Sequence, residues 1–517
     1  MKLKHLLLSS LMLLSAGTAW ADVEIDETNF PDANFRNWIL SEYHGKDGVL
    51  TDAEIAAMKQ IDVSLVGIQN LQGIEYFTAL TSLSCGENQL TSLDVSKNVK
   101  LTKLGCGSNQ LTSLNLSGCT ALEILHCNDN QLTSLDVSGC TSLTTLNCYN
   151  NPLTSLDVSG CTALEWLDCG ANQLTSLDVS GCTALEYLYC SNNQQLSSLD
   201  ASGCTALKKL ECRYNQQLSS LDASGCTALA YLDCFNNQLT SLIVSGCTAL
   251  TLLSCSNNLL TSLDASGCTA LTKLECGSNQ LTSLNLSGCN ALEILYCYDN
   301  QLTSLDVSGC TALGGLDCQN NQLTSLKVTG CTALTEFGCS NNQLTSLDVS
   351  GCTALRRLYC NSNQLTSLNV SGYDAMIELI CSENQLTSLN VSGCTSLTTL
   401  WCYSNKIKGD SMAALVEGLP TVNNGTMQVI YYENEQNVMT TTQVVAAKIK
   451  GWIPQYTING YSWYEYAGVD PLTEVNNVEV SDAADSAPWY TINGVELTEK
   501  PTAPGIYIHG GKKVIVK

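Results

Sequence analysis

LEWLDCGANQLTSLDVSGCTA, Leu164 to Ala184, decides the fold. The same unit recurs sixteen times between Leu80 and Ile407. One asparagine marks each copy: Asn88, Asn109, Asn130, Asn151, Asn172, Asn193, Asn215, Asn237, Asn258, Asn279, Asn300, Asn321, Asn342, Asn363, Asn384 and Asn405. The step is 21 residues, except for the two steps of 22 from Asn193 to Asn215 to Asn237. Each longer step adds one glutamine, giving Gln194-Gln195 and Gln216-Gln217. A unit this short cannot bury its apolar side alone. It must stack on its neighbours, so the fixed period predicts a solenoid.

Each unit has two related halves, LxxLxCxxNx and LTSLDVSGCTA, and both open with the alternation of a short strand. In the first half Leu167 and Cys169 face inward, while Trp166 and Asp168 face out. In the second, Leu177 and Val179 face inward, while Ser176 and Asp178 face out. Asn172 falls at the corner between halves, where its amide can bond backbone groups of adjacent turns. Ser180-Gly181 makes the second bend.

The pattern LxxLxCxxNxL resembles the leucine-rich repeat superfamily, with Cys where many relatives carry Leu. It covers residues 80–407, about 63% of the chain. Within that superfamily it resembles the short bacterial class with the motif nested twice in 21 residues, as in internalin-like adhesins. The resemblance implies a right-handed solenoid of about sixteen turns, mainly β, with the LxxLxC strands in one continuous parallel sheet. Parallel sheets are expected on both faces. Without a bulky helix on the outer side, strands spaced ~4.8 Å apart give weak curvature and a length of ~75 Å.

The whole chain has 517 residues, 44% of them hydrophobic and only 14% charged, with a net charge of −25. That charge repels phosphate backbones, so a nucleic-acid partner is excluded. Residues 1–21, MKLKHLLLSSLMLLSAGTAWA, read as a signal peptide: Lys2 and Lys4, an apolar run, then Ala19-Trp20-Ala21. The run is too short to span a bilayer, and no transmembrane segment is expected elsewhere. The mature protein is expected to be secreted or held at the outer cell surface, as a monomer. Of the 29 cysteines, sixteen occupy LxxLxC and thirteen occupy SGC, both inward places. A ladder of buried thiols is preferred to scattered disulfides, whose torsion parallel side chains make hard to reach, and to a metal site.

The flanks differ from the repeats. Residues 22–79 read as an N-terminal helical cap, with Phe35, Trp38 and Ile39 on one face of a helix and a second helix starting at Thr51-Asp52. GKDGVLTDAE resembles the end of a calcium loop through Asp47, Gly48 and Glu54. The earlier ligand positions, however, fall on Tyr43 and Gly45, which favours a plain helical hairpin. Residues 408–469 read as an α/β C-terminal cap, 470–486 as a linker, and 487–517 as a β tail with a Gly510-Gly511 turn. The tail's end, GIYIHGGKKVIVK, resembles sorting signals of the type IX export route.

Comparing the copies locates the candidate site. The second half barely changes, whereas the outward positions of the first half vary freely. They present Tyr149, Trp166, Tyr187, Tyr189, Lys209, Arg213, Tyr231, Phe235, Tyr296, Tyr298, Arg357, Tyr359, Trp401 and Tyr403. A scaffold needs the same residues in each turn, and Tyr, Trp and Arg are the types that dominate binding hot spots. These positions are the candidate ligand contacts, and the expected partner is a protein or a glycan. Two rival readings are a non-selective spacer or surface coat, and a cation scaffold on the column Asp136, Asp157, Asp178, Asp200, Asp222, Asp264, Asp306 and Asp348. No enzymatic activity is expected, because the few histidines stand apart from any nucleophile and the carboxylates repeat instead of pairing in a cleft. No cofactor and no resident metal are expected.

Overall fold

The computed structural model of the protein describes residues 22–41, 45–432, 435–469, 488–491, 496–502, 505–509 and 512–516. The signal peptide expected at 1–21, the linker expected at 470–486, the Gly510-Gly511 turn expected in the tail, Tyr43 and His44 lie outside the described residues. The protein is mainly β, a parallel solenoid of about sixteen turns with few helices. It forms two compact units. One holds the residues up to Leu344 with Asp348–Leu355, and the other holds Thr345–Leu347 with the residues from Arg356 on.

In the first unit, Val23–Glu24 pairs antiparallel with Val49–Leu50 beside α1 (Ala33–Ser41) and α2 (Asp52–Ala57). Glu54 is engaged in starting α2: its Oε2 accepts from Thr51 N at 2.9 Å, and Thr51 Oγ1 accepts from Glu54 N at 3.3 Å. Phe35 and Ile39 are buried as expected. Trp38 is only partly buried, and Phe30 takes up the core space, packing its ring on Phe35 and Phe77. Asp32 fastens the start of α1 to the segment that leads into the repeats, through Gln69 N, 2.7 Å from its Oδ2.

The sheet of the first half-units begins at Gln60–Asp62 and runs turn by turn to Glu336–Gly338, always parallel and with Leu opposite Leu, Ile or Phe. In the second unit it runs through Arg357–Tyr359, Glu378–Ile380 and Thr399–Trp401. It is extended there by Gly425–Tyr431, Trp452–Thr457 and the antiparallel Trp463–Glu465. Within one unit Leu164, Leu167, Cys169, Leu174, Val179 and Cys182 are wholly buried, which makes the column continuous.

All 29 cysteines are buried as thiols. The SGC thiols also donate backward to the preceding turn, Cys182 Sγ to Val158 O at 3.5 Å and Cys226 Sγ to Ala201 O at 3.1 Å. Burial pushes the thiols up, to about 12 for Cys106 and, with Cys204 close by, for Cys226. They are therefore neutral packing groups, not nucleophiles.

Each ladder asparagine binds two turns together. Asn172 Nδ2 donates to Cys148 O of the preceding turn and to Cys169 O and Gly170 O of its own, at 3.1, 3.0 and 3.0 Å. Its Oδ1 accepts from Leu153 N at 3.1 Å. In the longer turns the extra glutamine changes the donor, so Asn193 N and Asn215 N take the place of a leucine N–H and donate to the Oδ1 atoms of Asn215 and Asn237, at 2.6 and 2.7 Å. The residue before every ladder asparagine is left-handed, with φ between 50° at Ser404 and 61° at Asn192. Ala171 (φ 51°) and Tyr214 (φ 57°) hold that strained corner without the local hydrogen bonding that eases Asn or Asp into it.

The second side is extended but less regular. Its ladders come in pieces, such as Ser92–Asp94 with Ser113–Asn115 and the run from Leu177–Asp178 to Ser241–Ile243. Between those two stretches the pairing shrinks to the bridge Asp136 to Asp157, and further on it resumes in short pairs such as Ser262–Asp264 with Ser283–Asn285. The outward aspartates make the same local turn in paired and unpaired stretches alike. Asp178 Oδ1 accepts from Ser180 N at 2.9 Å, and Asp136 and Asp264 do the same two residues on.

The second unit closes on α3 (Asp410–Gly418) and α4 (Thr441–Ile449). Its last repeat is completed by residues that carry no repeat motif. Asn437 accepts from Ile407 N at 2.8 Å and donates to Cys402 O at 2.8 Å, as a ladder asparagine would. Glu435 Oε2 receives Ser404 N at 2.8 Å, where earlier turns offer a carbonyl. The tail strands Trp489–Thr491, Glu496–Leu497, Gly505–His509 and Lys512–Val516 form an antiparallel sheet.

Candidate binding face

The register of the first-half sheet arranges the variable positions in three outward columns. In the first unit, one column carries Trp166, Tyr187, Lys209 and Tyr231, then Leu252 and Lys273. The next carries Asp168, Tyr189, Glu211 and Asp233, with Tyr296 further along. The third, just past each cysteine, carries Tyr149, Arg213, Phe235 and Tyr298. In the second unit, Arg357 lies in the first column, Tyr359 and Trp401 in the second, and Tyr403 in the third.

Five consecutive turns of the first unit bring most of these residues into one patch. The Trp166 and Tyr189 rings lie 5.7 Å apart. Lys209 Nζ sits 5.2 Å from the Tyr189 ring centre and 4.7 Å from that of Tyr231, while pairing with Glu211 at 2.9 Å. Arg213 lies 2.8 Å from Asp233 Oδ2 and donates to the Tyr231 hydroxyl at 3.0 Å. That hydroxyl donates on to Asp233 Oδ2 at 3.2 Å. Asp233 is 6% exposed, and burial pushes its carboxyl above the usual range against the pull of Arg213. Burial raises Asp168 and Asp317 in the same way. Tyr296 and Tyr298 stand three turns beyond Tyr231 and do not join this network.

Two features of the patch escape the sequence reading. Tyr214, 39% exposed, occupies the left-handed corner and sets its ring edge-on to Phe235 at 5.7 Å. It is the one aromatic residue among the sixteen corner positions, and that oddity was visible in the sequence. The patch also coincides with the two 22-residue turns. In the second unit, Tyr359 donates to Glu378 at 2.9 Å, and Tyr403 stacks on Tyr431 with ring centres 6.0 Å apart.

On the second side, hydrogen bonds from the serine two residues on hold Asp136, Asp157, Asp178, Asp264, Asp306 and Asp348 below the usual carboxylate range. Asp306 also pairs with Lys327 at 3.1 Å. Among the described residues, no group of three or more His, Cys, Asp or Glu side chains is placed to hold a metal ion. No helix among them is long and apolar enough to cross a membrane.

Comparison with known proteins agrees with this geometry. The family model for leucine-rich repeats in two copies matches residues 120–160, 162–203 and 332–372. The functional domain of InlJ from Listeria monocytogenes, described as including a cysteine ladder, is similar at 31% identity. The match covers 80% of this chain and 84% of that one, with a TM-score of 0.51. A plant peptide hormone receptor, RGFR1, shares the fold at 20% identity and a TM-score of 0.51, over 75% of this chain and 69% of that one. YopM from Yersinia enterocolitica aligns at 24% identity and a TM-score of 0.48, over 74% of this chain and 88% of that one. No curated protein matches the chain. From the recurring asparagine corners, the buried leucine and cysteine columns and a relative matched over most of both chains, it follows that the chain belongs to the leucine-rich repeat family.

Proposed function

We propose that this chain is a non-enzymatic protein-binding leucine-rich repeat protein of a bacterium, displayed outside the cell, whose contact surface is the outward face of the first-half sheet. One observation carries the reading. The scaffold repeats almost unchanged, while four adjacent turns place Trp166, Tyr189, Lys209, Tyr231, Arg213 and Phe235 on one face. Rings already fixed by neighbours lose little freedom on binding, which favours affinity. The composition of residues 1–21 supports export, and the likeness to InlJ supports a bacterial setting.

The test compares the mature protein with the triple variant Tyr189→Ser, Tyr231→Ser and Arg213→Ser in affinity capture from host-cell surface extracts. The reading expects a protein captured by the parent and lost in the variant, with both folded by circular dichroism. Equal capture by both would contradict the assignment of the face.

A further inference from the structure

The second unit holds an acceptor that the fold does not use. Gln428 stands between Met427 and Val429, both wholly buried, and so faces outward from its strand. In register it lies beside Trp401 on one neighbouring strand and Gln455 on the other. Gln428 is 6% exposed, yet its Oε1 is buried with no hydrogen-bond partner. An amide oxygen buried without a partner costs stability, and native structures rarely keep one without a reason.

Aromatic rings gather along the same stretch. Tyr403, two residues past Trp401, stacks on Tyr431 and packs against Trp463 at 5.2 Å between ring centres. Glu435 fixes the frame beneath, accepting Tyr431 N at 2.8 Å and Ser404 N at 2.8 Å. These rings lie on or just past the strands that carry and flank Gln428, with Trp463 one strand further on, and the neutral acceptor of Gln428 lacks a donor.

We propose that this row is a binding site for a neutral glycan. The C–H faces of a sugar ring match aromatic faces, and a sugar hydroxyl supplies the donor that Gln428 Oε1 lacks. A net charge of −25 opposes acidic saccharides. The oxygen is out of contact with solvent, so a ligand reaches it as the surrounding rings shift, and the two tryptophans report that movement. The site uses only residues of the second unit; it shares Trp401 and Tyr403 with the outward face described above but none of the five-turn patch of the first unit.

The experiment titrates the full-length protein with short soluble oligosaccharides of glucose, mannose and galactose, and with an oligomer of uronic acid. Tryptophan emission and calorimetry follow binding. One neutral class is expected to saturate both signals while the uronic acid does not. Gln428→Leu is expected to weaken that affinity by about tenfold without lowering the melting temperature. Trp463→Ala, at a part-exposed position, provides a second variant and is expected to weaken it as well. The proposal is overturned if no neutral oligosaccharide binds, if the acidic one binds better, or if Gln428→Leu binds as tightly as the parent.

Discussion

Asn437 accepts a hydrogen bond from Ile407 N at 2.8 Å, across 30 residues of chain. Inside the repeats the same bond spans 19 residues, as from Leu386 N to Asn405. The cap thus ends the ladder by supplying one more asparagine from a differently built segment. Asn437→Ala would leave Ile407 N, Cys402 O and Val429 O with a buried partner missing. The expected loss is about 2–4 kcal/mol. Hydrogen exchange would show it as lost amide protection around Cys402 and Ile407, with the first unit unchanged.

The left-handed corners yield a prediction of opposite sign. Ala171→Asn places at φ 51° the residue type already found at Asn150 and Asn192. A gain of up to ~1 kcal/mol is expected, because Asn adopts this conformation more readily than Ala. Tyr214→Asn should stabilise similarly while weakening any partner held through the Phe235 edge. Denaturant melts of the two variants check the first claim, and capture assays check the second.

Thiol burial sets the alkaline limit. Folded thiol pKa values are raised, so the contribution is fully present below the unfolded value of ~8.5. It is lost as pH rises through the folded values, about 12 for Cys106 and Cys226. The melting temperature under reducing conditions should therefore fall steeply from about pH 9 upward. A flat profile to pH 11 would count against buried thiols.

The Arg213–Asp233 pair couples two turns of the binding patch. Arg213→Ala strands a carboxylate whose side chain is 8% exposed, and a loss of about 1–2 kcal/mol is expected after allowing for the 36% exposure of the arginine side chain. Asp233→Asn in the same chain should recover part of it. A double-mutant cycle measures the coupling, and simple additivity would show that the pair does not interact.

Much of this was legible in the sequence, and for one reason: a fixed period converts every position into a place on the coil. The inward thiols, the asparagine corners and the outward aromatic residues all follow from that. The strained corner did not, because Glu87, Ser108, Ala171 and Tyr214 share a backbone angle and no chemistry. The breaks in the second sheet were hidden too. Asp136 and Asp178 carry the same motif, but only Asp178 lies in a run of paired strands. Asn437 lacks any motif and meets Ile407 only once the cap is folded. Contacts across the face, such as Lys209 with Tyr189 and Tyr231, needed the observed register.

Counting reactive thiols in the native protein tests the stacked core most directly. With a chromogenic disulfide reagent at mildly alkaline pH, the account predicts no fast reaction at any of the 29 cysteines, and reaction of all of them once denaturant is added. Rapid reaction of a large share of them in the native state would contradict it.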